Sequence, residues 1–333
     1  MTIEVIKNGL LTTPQDLGRA GYTHLGIGRA GAFDLPALRI ANALSGNYVD
    51  DCALEITLLG PTLRFHRDAH IAMTGASAPM HIDGIEQPMW SPCFVTAGSL
   101  LTIGAMRSGC RAYLAVRGGF AFEPVLGSRS LDVNAALGPL DNRALRAGDV
   151  LQVGNAGGPK LARKAGQRVT ATEPQHWCVD PHSWFDPDSR HHLRLLPGRH
   201  FDQLDASSRA ALFAEPFRVA NDSNRVGVRL EGPRLSLSEP VETISEGCVA
   251  GTLQLPPSGQ PIALGVEHPV SGGYPHIGQI ISVDLPILAQ RRPGDALRFV
   301  PCSLDEALRL LHKRERQLHD MENAIQQRLV ENI

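Results

Sequence analysis

Short apolar or alternating runs recur along the whole chain, each closed by glycine, proline, asparagine or aspartate. In the first half the pattern predicts strands at TIEVIK (2–7), LRFH (63–66), HIAMTG (70–75), LLTIG (100–104), RAYLAV (111–116) and DVLQVG (149–154). In the second half it predicts HLRLLPG (192–198), GVRLEG (227–232), PIALGV (261–266), QIISVDL (279–285) and ALRFV (296–300). A period of two suits a strand with one buried face, and many short strands between turn signals point to barrels or sandwiches. Helical periodicity is confined to a few segments. DLPALRIANALSGN (34–47) has Asp34 placed to cap, Pro36 in the first turn and Gly46 as a stop. ASSRAALFAE (206–215) is a second. The third runs from Ser303 to about Leu329 and opens with a Ser303–Glu306 capping box. Its stripe of Leu304, Leu308, Leu311, Leu318, Ile325 and Leu329 suits packing on the body, with a partner helix as the alternative.

Two patterns occur in both halves. LEITLLGPTLRF (54–65) is echoed by RLEGPRLSL (229–237), and RAGDVLQVG (146–154) by RPGDALRFV (292–300), with a weaker copy at TAGSLLTIG (96–104). The same order in each half suggests two related β units. The expected organisation is a first unit over residues 1–155, a connector over 156–190, a second unit over 191–302 and a helix over 303–333.

Composition narrows the function classes. Apolar residues make up 43% of 333, enough for sizeable cores. With 32 basic and 34 acidic residues and a net charge of −2, nothing marks a nucleic-acid or membrane surface. Aromatics at 5% leave little for base stacking. The 33 glycines and 24 prolines fit frequent turns. Six scattered cysteines without a C-x-x-C pair, an N-terminus unlike a signal peptide and no membrane-length apolar run give a cytoplasmic expectation.

Several polar clusters are candidates for chemistry. In TTPQDLGRAGYTHLG (12–26), Gln15, Asp16, Arg19 and His24 can line a site, with the Arg19 guanidinium suited to a carboxylate or amide. The alternative is an Asp16–Arg19 turn pair that only shapes the loop. GIGRAGAFD (26–34) lacks the spacing of a phosphate loop, and the Asp34 carboxylate at the helix start opposes an anion there. QHWCVDPHSWFDPDSRHH (175–192) is rich in His and Asp without zinc spacing, so no metal ligand set is assigned. Asn224 and Arg225 enter a strand, and Gln254 and Gln260 flank a Pro-Pro-Ser-Gly turn; such amides suit an amide or lactam ligand, or serve only the turns. In SGGYPHIGQI (271–280), Gly272 and Gly273 permit close backbone approach, Tyr274 offers a hydroxyl and His276 titrates near neutrality. The runs IALGV and IGQIISV flank EHPVSGGYPH like hairpin arms, and ten residues exceed what a hairpin needs, which favours a ligand-facing loop. No nucleophile elbow, triad order or H-E-x-x-H is present.

Taken together, TTPQDLGRAGY, GAFDLPALRIANALSGN, ALEITLLGP, YLAVRGGF, VLGSRS, LRLLPGRHFDQ, SNRVGVRLEGP, GTLQLPPSGQPI, SGGYPHIG and LAQRRPGDALRF occur in one order across almost the whole chain. This set resembles the allophanate hydrolase subunit 2, or biotin-dependent carboxyltransferase, family. The closing FVPCSLDEAL is similar to the branch of that family that forms the C component of bacterial 5-oxoprolinase. The resemblance implies a mainly β fold with a few helices: two cyclophilin-like β-barrel units plus the long C-terminal helix. It implies a hetero-oligomer with a subunit 1-type protein, the B component of 5-oxoprolinase, and with a third lactam-utilisation protein, its A component. A homo-oligomer is a further option. That complex opens 5-oxo-L-proline to L-glutamate with ATP as co-substrate. On that reading His276, Tyr274 and Arg225 are catalytic candidates. Gln15, Asp16, Arg19, Asn224, Gln254, Gln260, Gly272 and Gly273 are binding candidates. The alternatives are a carboxyltransferase component of a biotin-dependent urea or amide carboxylase, where biotin enters on another protein, and a non-enzymatic regulatory protein. One departure stands out. Where the family carries an Asp-x-Gln-Thr-Thr-like run, this chain has Glu267-His268-Pro269-Val270-Ser271, and Pro269 removes a backbone donor.

Overall fold

The computed structural model describes residues 1–155, 177–180, 192–239 and 243–331. Most of the expected connector, and most of the His- and Asp-rich stretch 175–192, lies outside the described residues. The chain forms two compact units: Met1–Gly18, Asp34–Asp186 and Arg316–Ile333 in one, Arg19–Phe33 and Pro187–Glu315 in the other. Mainly β with few helices and a long C-terminal helix, it has the class the resemblance implies.

In the first unit, alternation drives two sheets around one core. Strands β1 (Thr2–Lys7), β2 (Leu11–Gln15), β3 (Ala53–Thr57), β4 (Thr62–Phe65), β5 (Ala69–Ser77), β6 (Met80–Ile82), β7 (Ile85–Gln87), β8 (Cys93–Val95), β9 (Leu100–Ile103), β10 (Ser108–Val116) and β11 (Val150–Gln152) follow in chain order. The sheets run β11-β1-β4-β9-β6-β7 and β2-β3-β10-β5-β8. Ile3, Leu63, Phe65 and Leu101 from the first meet Leu54, Ile71, Leu114 and Val116 from the second. Strand β10 is buried along nearly its whole length because the helix Leu35–Leu44 covers its other face, which is why RAYLAV reads as a continuous run. Asp34 caps that helix by accepting from the Ala37 amide at 3.1 Å, as its sequence predicts.

The second unit is a closed barrel. Its strands are β12 (His192–Pro197), β13 (Phe217–Val219), β14 (Gly227–Glu231), β16 (Thr252–Gln254), β17 (Ile262–Leu264), β19 (His276–Ile280) and β20 (Ala296–Pro301), in the order β12-β19-β16-β17-β14-β13-β20. A parallel β12–β20 pairing completes the ring, and Leu193, Leu195, Phe217, Leu230, Leu253, Ile277 and Phe299 fill it. The remaining strands, β15 (Glu246–Gly247) and β18 (Ser271–Gly272), pair only with each other.

The repeated turn is one device used three times. Gly148, Gly294 and Gly98 have φ of 92°, 88° and 90° and donate to Val5, Val219 and Phe65 carbonyls at 2.7 Å each. The same three residues donate back to the carbonyls of Asp149, Asp295 and Ser99. In the two stronger copies the aspartate also accepts from the Arg146 or Arg292 amide, at 2.7 and 2.8 Å. Only glycine reaches this left-handed conformation cheaply, so the motif fixes the turn in each unit.

Three expectations change. QIISVDL is not one strand: β19 ends at Ile280, and Ser282–Asp284 and Leu285–Ala289 turn helical. The carboxylate of buried Asp284 accepts from the Arg194 amide and guanidinium, which holds that turn, and Pro286 starts the short helix. IALGV and IGQIISV do not pair with each other either. Strand β16 lies between β17 and β19. The C-terminal stripe also divides. Leu318, Ile325 and Leu329 are buried and Leu311 packs with Ile281 and Val283, while Leu304 and Leu308 are exposed. Further along the helix, Glu322 receives Arg39 from the Leu35–Leu44 helix at 2.7 and 3.1 Å.

Candidate functional site

Strands β16 and β19, with the β15–β18 ribbon beside them, gather a polar cluster around His276. Leu253 and Ile277 point inward, so alternation turns Gln254 and His276, which are register partners, to the outer face. The β15–β18 ribbon brings Cys248 to them. Gln254 Nε2 lies 3.2 Å from His276 Nε2 and 3.5 Å from Cys248 Sγ, and that sulfur is 3.6 Å from His276 Nε2. From the other side His200 fixes the His276 backbone. Its amide donates to the His276 carbonyl at 2.9 Å, and its Nδ1 accepts from the His276 amide at 3.0 Å. At the edge, Arg199 pairs with Glu246 at 2.6 Å.

Electrostatics favour neutral groups here. Burial pushes the His276 pKa below its ordinary value; the Glu246 carboxylate opposes this, while His200 and Arg199 reinforce it. Burial, assisted by Glu246, pushes the Cys248 thiol up, away from a thiolate. The glycines matter through space. Neither Gly272 nor Gly273 has positive φ, but a Cβ on Gly272 would lie 2.5 Å from Gln254 Nε2 and 3.2 Å from Cys248 Sγ. Tyr274, just before the strand that carries His276, is 46% exposed.

The other sequence candidates are held in separate constructions. Arg225 is buried and forms a 2.5 Å ion pair with Glu267, and it donates to the Gly31 carbonyl at 2.6 Å. The run that departs from the family pattern therefore supplies the partner of Arg225. Asn224 shapes the turn, its Oδ1 accepting from the Val226 and Gly227 amides. Gln260 bridges both backbone groups of Gly232, at 2.8 and 3.2 Å. Gln15 and Asp16 lie in the first unit, Arg19 in the second. Asp16 accepts from Gly18 N, Ser128 Oγ, Arg129 N and Ser130 Oγ. Buried Gln15 donates to Thr13 Oγ1 and the Leu131 carbonyl, and its Oε1 has no partner among the described residues. Buried Arg19 anchors its loop through its backbone amide to the Arg29 carbonyl. Sequence reasoning missed Cys248, His200, Glu246 and Glu267. A single cysteine in SEGCVAG gives no local signal; only the β15–β18 pairing brings it to His276. Among the described residues no group of three or more His, Cys, Asp or Glu is arranged to hold a metal ion.

Comparison with known proteins gives the chain a family. Residues 25–301 match the model of the carboxyltransferase domain, subdomain A and B. The chain is 36% identical to the C component of 5-oxoprolinase from Escherichia coli (strain K12), over 96% of this chain and 97% of that one. With the 5-oxoprolinase C component of Haemophilus influenzae it shares 33% over 98% and 99%. Urea amidolyase of Saccharomyces cerevisiae is 31% identical over 98% of this chain, which spans 18% of that protein. The crystal structure of the K. lactis urea amidolyase superposes with a TM-score of 0.86 at 28% identity, covering 96% of this chain and 20% of the other. By motif order, barrel and near-complete alignment, the chain belongs to the carboxyltransferase domain family, subdomains A and B.

Proposed function

We propose that this chain is the C component of a cytoplasmic, ATP-dependent 5-oxoprolinase, opening 5-oxo-L-proline to L-glutamate with B-type and A-type companion proteins. The observation that carries this reading is reciprocal coverage. The bacterial 5-oxoprolinase C components align over 97% and 99% of their own length, whereas the chain spans 18% of the yeast urea amidolyase. The chemistry explains why several components are needed. A lactam carbonyl is resonance-stabilised and a poor electrophile. Transfer of a phosphoryl group to its oxygen makes the carbon attackable by water, and fixed donors then stabilise the charge that develops. The outer face of β16 and β19 offers a neutral donor of that kind in His276, which Gln254 positions. ATP is a co-substrate of the complex in this reading, and biotin has no part. The carboxyltransferase reading, with biotin borne on another protein, stands second on the likeness to urea amidolyases.

The test is an omit-one reconstitution with 5-oxoproline and ATP. Glutamate release is expected only when this chain and both companions are present. Release that persists at full rate without this chain overturns the proposal. Turnover of urea and bicarbonate with a biotin carboxylase, in place of 5-oxoproline, supports the second reading.

A further inference from the structure

We infer that Gln254 holds His276 with its proton on Nδ1, so that this histidine presents a hydrogen-bond donor to a ligand oxygen instead of a base. Gln254 and Cys248 are then positioning residues, and the ligand is a small molecule whose carbonyl or carboxylate oxygen accepts that N–H. The inference deepens the 5-oxoprolinase reading and rests on it only for the identity of the ligand.

The argument is one of donor and acceptor counting. The Gln254 amide nitrogen carries two N–H groups and no acceptor lone pair. It faces two atoms, His276 Nε2 at 3.2 Å and Cys248 Sγ at 3.5 Å. One N–H goes to the sulfur; with the other turned to the imidazole, Nε2 presents its lone pair. A neutral imidazole has one N–H, which is then on Nδ1. The thiol completes the arrangement. Its hydrogen is directed to the Glu246 carbonyl, 3.6 Å away, which leaves the sulfur as an acceptor for Gln254.

The surroundings hold the ring in place. His200 grips the His276 backbone from both sides, and a Cβ on Gly198 would lie 2.4 Å from the His276 carbonyl. Gly272 leaves no space for the Gln254 amide to retreat toward the ribbon, since even a methyl there would collide with it. Nδ1 has no partner among the described residues. The charged and titratable neighbours are Glu246, already paired with Arg199, and His200 and Cys248. Burial keeps the ring neutral, in accord with a donor that must not become a cation. The only unoccupied polar position of the ring is thus a donor, and 5-oxoproline offers oxygen acceptors at its lactam and its carboxylate.

The test is long-range proton–nitrogen NMR on full-length protein labelled in histidine. The chain has 13 histidines, so His276 is assigned by the signal lost in His276→Gln. At neutral pH the expected pattern is a pyrrole-type Nδ1 and a pyridine-type Nε2. Gln254→Glu, which replaces the amide donor with an acceptor, is expected to move the proton to Nε2 and raise the histidine pKa. Gln254→Leu should give a mixture of tautomers. A pyridine-type Nδ1 in the wild-type protein overturns the inference, as does a pattern unmoved by Gln254→Glu. Titration with 5-oxo-L-proline should shift the Nδ1 resonance, and His276→Phe should raise KM of the reconstituted complex about tenfold, the loss of one hydrogen bond. Unchanged KM and kcat remove the donor role. A wild-type complex that forms no glutamate removes the 5-oxoprolinase reading, while the tautomer pattern still decides the inference.

Discussion

At Gly272 the constraint is volume. Alanine there adds a methyl against Gln254 and Cys248, and a crowded core position costs about 1–3 kcal/mol when it cannot relax. Gly272→Ala is therefore expected to lower the thermal midpoint modestly and to displace the His276 signals. A variant with wild-type histidine shifts would show that the contact is soft. Arg225 makes a different case. It was a catalytic candidate from sequence, and its guanidinium sits in a buried ion pair with Glu267. Removing one member of a buried pair exposes the other to an apolar environment, at a cost of about 3 kcal/mol or more. Arg225→Ala should thus lower stability by at least that order in denaturant titrations. A variant within about 0.5 kcal/mol of wild type would contradict this, because changes that small are typical of surface positions. Neither partner announces the other in the sequence, where 42 residues separate them.

Among the elements, the β15–β18 ribbon accounts for the length of the loop that precedes His276. The excess residues in EHPVSGGYPH pair with Glu246–Gly247 and carry Cys248 onto the barrel's outer face. The length was legible and so was the presence of glycines; the pairing was not, because two-residue strands carry no periodicity. The C-terminal helix shows the opposite balance. Its Ser303 cap, which accepts from the Glu306 amide at 3.2 Å, and its apolar stripe were readable. Which part of the stripe is covered depended on tertiary packing. The Arg39–Glu322 pair joins that helix to Leu35–Leu44 with two near-parallel hydrogen bonds, at low exposure on both sides. Glu322→Ala should destabilise the protein by up to about 3 kcal/mol, since it removes two charge-assisted hydrogen bonds from a mostly covered guanidinium. Limited proteolysis should then cut within the C-terminal helix sooner than in wild type. Unchanged cleavage would show that the apolar stripe alone holds it.

For the whole molecule, the buried titratable groups set a pH limit. His70 packs edge-on to Phe94, and burial together with Arg117 lowers its pKa from 6.5 to about 4. Between those values the unfolded chain binds a proton that the folded one refuses. This contribution to stability is therefore complete above pH 6.5 and is lost as pH falls toward about 4. His276 acts in the same direction. His70→Phe should flatten the stability profile over that window in denaturant titrations at a series of pH values; an unchanged slope would mean His70 titrates alike in the folded and unfolded chain. The sequence by itself determined the strand-rich class, the helix ends and the repeated glycine turn, because period, caps and positive φ are properties of a few neighbouring residues. It misread QIISVDL, since an apolar run looks alike whether a strand continues or a buried aspartate such as Asp284 bends it into helix. Only the tertiary structure decided that one unit closes into a barrel, that Arg225 answers Glu267, and that Gln254, Cys248 and His276 share a face. Arg225 and Glu267 are 42 positions apart, Cys248 and His276 are 28 and Gln254 and His276 are 22, and long-range packing, with the strand register it selects, brings them within reach.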